Sequence, residues 1–170
     1  MKKNSIILVL PFFLGLCFFS ISHAEDKVAM DLVNYVNQGI LGIAELEIRS
    51  LERYDAVTGN NYTTDERVYK SLNDDVIPLY KRFLELLRDI APKTKEVINL
   101  HRIYVRGAEY INEGFKMKKL GIENKNEGII LQANKKIEKG SDDVRRWKKE
   151  IMVLYEKHGV APAGEKEKKG

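Results

Sequence analysis

Chemistry needs particular side chains, and this chain offers few. Two histidines, His101 and His158, and no cysteine remain once residues 1–24 are set aside. Zinc or haem attachment therefore lacks ligands. A di-iron centre of the helical-bundle kind needs Glu-x-x-His on facing helices, because residues three apart project from one side; the sequence has no such motif. It also lacks a phosphate-cradling glycine loop and a nucleophile elbow. The expectation is a non-enzymatic protein without cofactor or metal.

What remains is a cluster expected between helices: Gly39, Gly42, His101, Tyr104 and Trp147. His101 falls on an apolar helical stripe, near the level of Val36, Phe83 and Ile151, where a neutral imidazole bonded to a tyrosine is expected rather than a ligand. Gly39, Gly42, Gly107, Gly114 and Gly140 all fall inside predicted helices, each at a cost of roughly 0.5–1 kcal/mol relative to alanine. Two accounts offset that cost. Gly39 makes room for the Trp147 and Tyr104 rings, or the glycines open a cavity for a small apolar ligand.

The elements that position these residues follow from periodicity. Apolar residues recur at steps of three and four, the mark of a buried helical stripe. One stripe runs Ile130, Ala133, Ile137, Gly140, Val144, Trp147, Ile151, Leu154; Lys157, His158, Gly159 and Pro162 end that helix, with Gly159 in the left-handed position. A second runs Tyr69, Leu72, Val76, Leu79, Phe83, Leu86, Ile90. A capping box at Thr63-Thr64-Asp65-Glu66 opens it, Pro78 bends it and Pro92 closes it. A third runs Val97, His101, Tyr104, Ala108, Ile111, Phe115, with Gly121 as its stop. The first helix, about residues 28–57, steps Val33, Val36, Ile40, Ala44, Ile48, Leu51, an eleven-residue spacing in part. Short turns between such helices imply an all-α, antiparallel up-down-up-down four-helix bundle over residues 25–160. Residues 161–170, rich in Gly, Ala, Lys and Glu, read as a disordered tail.

The opening of the chain reads as a signal peptide. Lys2 and Lys3 precede an apolar run from Ile6 to Phe19, and Ser22 and Ala24 suit cleavage after Ala24. That run of 14 residues is shorter than the roughly 20 a membrane-spanning helix needs, so no stable membrane anchor is expected. Cys17 invites a lipid-attachment reading, but bulky Leu16 stands where a small residue belongs. Export to the periplasm or the medium is expected, with no disulfide despite a route that permits one.

Charge excludes another class. The chain has 29 Lys and Arg against 25 Asp and Glu, and without Lys2 and Lys3 the balance is +2. No concentrated basic face points to nucleic acid. Asn61-Tyr62-Thr63 matches the glycosylation pattern but reads as loop chemistry leading into the helix cap.

The run from Leu100 to Ala108 (LHRIYVRGA), Glu113-Gly114-Phe115, Gln132-Ala133-Asn134 and Trp147 resembles a loosely defined group of small exported bacterial helical proteins, often lipoproteins. Tyr62-Thr63 and Pro78-Leu79-Tyr80 extend the likeness over most of the chain. The resemblance implies an exported helical protein and no activity. A structural or protein-interaction module of the cell envelope, meeting an envelope or extracellular partner protein, is the favoured function. A carrier or sensor holding a small apolar ligand between the helices is the alternative.

Overall fold

The computed structural model describes residues 26–160; the expected signal peptide, with Cys17, and the expected tail lie outside the described residues. The described chain is all α. Four continuous helical stretches span it: α1 (residues 27–55), α2 (residues 65–89), α3 (Lys95–Glu123) and α4 (Glu127–Lys157). A single 3-10 turn, Gly59–Asn61, lies between α1 and α2.

Caps fix the starts. Asp26 accepts from the N–H groups of Val28 and Ala29, Thr64 from Arg67, and Asn126 from Ile129. The cap at Thr64 is one-sided, because Arg67 stands at the third helical position and has no acceptor to return; Asp65 and Glu66 instead favour the helix start by charge. The start of α3 is capped from another helix. Asp31 of α1, buried, accepts from the backbone of Lys93 and Thr94 and from the Thr94 hydroxyl at 2.7–3.1 Å. Gly159 ends α4 at φ 64°, the left-handed conformation its position requires.

Both α1 and α2 contain a wide π-helical turn, Tyr35–Ile40 and Leu72–Val76. These turns shift the buried faces from those read in the sequence. In α2 the core takes Val68, Leu72, Val76, Tyr80, Phe83 and Leu87, while Tyr69, Leu79, Leu86 and Ile90 are half-buried. In α1 it takes Leu32, Val36, Ile40, Ile43, Ser50 and Tyr54 rather than Ala44, Ile48 and Leu51. A wide turn adds a residue per circuit, so a stripe that follows one face advances by four rather than three. Pro78 falls just after the second wide turn, in the first turn of the regular segment Ile77–Asp89, where its missing N–H is tolerated. The buried Ser50 hydroxyl donates to the Val76 carbonyl at 2.9 Å and ties α1 to this place.

The α3 stripe is buried as read, from Val97 through Phe115. Gly121 does not stop α3, which runs on to Glu123 while Lys125 takes the left-handed turn at φ 48°. Gly121 is instead a contact residue: a β-carbon there would lie 2.9 Å from the backbone nitrogen of Ile130. The same holds along the α3–α4 hairpin. A β-carbon on Gly114 would meet Ile137, and one on Gly140 would lie 2.5 Å from the Gly107 carbonyl oxygen. The two helices run antiparallel with their backbones nearly touching, and Arg106–Asp143 and Lys136–Glu113 pair across them. At the far end His158 of α4 bonds the Asp26 cap at 2.7 Å.

Candidate functional site

Several polar side chains of the interior lie near Tyr104, among them Glu47, Tyr80, Tyr35 and Trp147. Helical spacing on α3 places Tyr104 on the core stripe three residues after His101, and the α4 stripe brings Trp147 against it, stacked at 4.2 Å between ring centroids and 21° between planes. Phe83 of α2 also meets Tyr104, tilted, at 5.9 Å between ring centroids. The Tyr104 hydroxyl donates to Glu47 of α1 at 2.5 Å.

Glu47 has no cationic partner within ion-pair distance among the described residues, and Lys148 is the cation that acts on it from farther away. Burial therefore dominates and pushes its carboxyl above the usual carboxylate range, against the Tyr104 bond and Lys148, which act to lower it. The residue as a whole keeps some surface, but its carboxyl group is enclosed, and the enclosure governs its proton. Tyr80 lies within reach of this charge with a buried hydroxyl that has no hydrogen-bond partner.

His101 joins through Tyr35. Its Nδ1 is 3.4 Å from the Tyr35 hydroxyl, and the rings meet edge-on at 5.6 Å. Burial lowers the His101 pKa and so favours the neutral imidazole. The Trp147 N–H acts on Tyr35 electrostatically but finds no partner at hydrogen-bond geometry. The arrangement holds two separate proton-sharing pairs, Tyr104 with Glu47 and Tyr35 with His101. Among the described residues no group of three His, Cys, Asp or Glu gathers to hold a metal.

Of the residues expected together, the structure assembles His101, Tyr104 and Trp147 around Tyr35 and leaves the two glycines outside. Gly39 does not make room for Trp147: a β-carbon there would meet the Ile90 side chain at 3.0 Å, and Gly39 lies in the floor of a surface groove of about 410 Å³ with Tyr35, Ile43 and Ile90. Gly42 has nothing within 4 Å of where a β-carbon would stand. Gly39 lies inside the wide turn Tyr35–Ile40 and faces Ile90. Sequence reading missed Tyr35, Glu47 and Tyr80. A signal for Glu47 existed, since Val36, Ile40, Ile43, Glu47, Ser50 and Tyr54 step by threes and fours; two polar residues in that series concealed it.

A second, smaller cleft of about 270 Å³ lies at the other end of the molecule, lined by Thr58, Tyr62, Asp65, Val68, Lys118 and Ile122 among others. No described helix is long and apolar enough to cross a membrane. Compared with protein-family models, curated proteins and solved structures, the chain matches none.

Proposed function

We propose that this chain is a non-enzymatic helical module of the cell envelope, exported with removal of residues 1–24, that meets a partner protein through an outer helix face. One observation carries the reading. On α4, Met152 and Val153 are 51% and 60% exposed, and Lys149, one turn before Val153, forms no ion pair among the described residues. Apolar side chains beside uncommitted charges are what a contact surface offers. A photo-crosslinking side chain at Val153 should capture one discrete partner in the native host, while the same probe at exposed Lys81 of α2 should not. Equal capture at both positions, or none at 153, would overturn the proposal.

The arrangement that goes with this reading is an up-down-up-down four-helix bundle. The Asp26–His158 bond and the antiparallel α3–α4 hairpin support it. Spin labels at Lys27 and Lys157 should then give a short distance, and labels at Lys27 and Glu127 one near the length of α4, about 45 Å. The reverse pair of distances would refute the topology.

A second reading, a carrier or sensor of a small apolar ligand, draws support from the groove at Gly39. Filling it tests that reading: Gly39→Leu abolishes ligand retention in native mass spectra if the groove is the site, and leaves it unchanged if it is not.

A further inference from the structure

Lys118 of α3 is a half-buried cation whose partners are all neutral. Its ammonium donates to the Tyr54 hydroxyl at 2.8 Å and to Asn134 Oδ1 at 3.0 Å, and it stands 5.1 Å from the Tyr54 ring centroid. No carboxylate of the described residues comes within ion-pair distance of it, and its third N–H has no such bond. Taking a charge out of water without a counter-charge is costly, and burial lowers the Lys118 pKa accordingly.

The nearest opposite charge shares its cleft without closing on it. Asp65, at the exposed start of α2, accepts from the Tyr62 hydroxyl at 3.2 Å and has no cation within ion-pair distance among the described residues. It attracts Lys118 across the opening. The same cleft is lined by the apolar Val68, Ile122 and Ile130, together with Thr58, Gly59 and Tyr62. The cleft, about 270 Å³, falls just below the range that holds drug-sized ligands, roughly 300–1,000 Å³.

From this placement we propose that the cleft binds a zwitterion of amino-acid size with an apolar side chain, its carboxylate on Lys118, its ammonium on Asp65 and its side chain against Val68, Ile122 and Ile130. A simple anion would face Asp65, a simple cation would face Lys118, and an uncharged apolar molecule would strip water from both. A ligand carrying both charges meets each with its opposite. The proposal does not rest on the partner-binding reading of α4.

Leucine is the probe. Titrated into the full-length mature protein and followed by amide chemical shifts, it should cause saturable changes at Val68, Ile122 and Ile130. N-acetyl-leucine, which lacks the ammonium, and leucinamide, which lacks the carboxylate, should each bind at least tenfold more weakly. Lys118→Met should lose binding at least tenfold, and so should Asp65→Asn, which keeps an acceptor for Tyr62. If Lys118→Met does not fold, Asp65→Asn on the exposed rim carries the test. Absence of saturable shifts with millimolar leucine, or equal affinity for the three ligands, would overturn the proposal. N-acetyl-leucine binding as well as leucine would likewise refute it, by showing a carboxylate site alone.

Discussion

The Glu47 carboxylate accepts the Tyr104 hydroxyl at 2.5 Å in the interior, with Tyr80 close by and no cation paired to it. A carboxyl so placed favours its protonated form when the chain is folded. Its pKa is raised from 4.5, so between the unfolded and the folded pKa the folded state holds a proton that the unfolded chain has released. The contribution is present below the unfolded pKa and is lost as pH rises through the folded one. The charged and titratable groups that face Glu47 are Tyr104 from α3, Tyr80 from α2 and Lys148 from α4.

Glu47→Gln should therefore stabilise the protein at neutral pH relative to wild type, and the gain should shrink as pH falls toward 4. The amide still accepts from Tyr104 and gains a donor for its surroundings. Glu47→Leu should instead cost about 1–3 kcal/mol at low pH, because the Tyr104 hydroxyl loses its partner. Urea unfolding of the three proteins across pH 4–8 checks both statements. The difference from wild type is the informative quantity, because Asp143, held low chiefly by its Arg106 bond, contributes a slope of the opposite sign at acid pH.

His101 should titrate below its ordinary 6.5 in NMR spectra, since burial disfavours the imidazolium. The sign follows: its contribution to stability is complete above 6.5 and is lost as pH falls toward the lowered value. His101→Gln should remove that acid-side loss. An ordinary titration near 6.5 would show that the Tyr35–His101 contact is open to water.

The glycines should divide into two groups. Gly140→Ala places a methyl 2.5 Å from the Gly107 carbonyl oxygen and 2.9 Å from the Ile111 nitrogen, and backbone atoms on both sides leave no cheap way to yield. We expect a loss of about 1–3 kcal/mol or more despite alanine's better helix propensity. Gly42→Ala, with open space around it, should gain about 0.5–1 kcal/mol. Gly39→Ala presses on the Ile90 side chain and should leave Trp147 fluorescence unchanged. Thermal melts with emission spectra separate the three.

Asp31→Ala should cost about 1–3 kcal/mol, because it removes the acceptor for two backbone N–H groups and one hydroxyl at the start of α3. Hydrogen exchange should rise first at Lys93 and Thr94. Unchanged exchange there would mean that water replaces the cap.

The helical period, the end of α4 at Gly159 and the central stripe of the buried face of α3, Val97 to Phe115, were legible in the chain, because each depends on neighbours within a few residues. A 3.6-residue period fixes one face once the helix is regular, and a glycine after Lys157-His158 has a local reason to be there. The buried faces of α1 and α2 were not legible. Wide turns at Tyr35–Ile40 and Leu72–Val76 change the angle per residue, and nothing local distinguishes them from ordinary helix. The same limit hid the roles of particular residues. Gly121 resembles a stop, yet the approach of Ile130 from α4 decides that it is a contact; Asp31 resembles a surface acid, yet it caps a helix 62 residues away. Glu47 and Lys118 resemble ordinary polar positions, and only the packing of other helices over them sets one carboxyl above and one amine below its usual range. Local pattern determines which segments coil. Desolvation and close approach are properties of several segments at once, and the tertiary structure alone decides them.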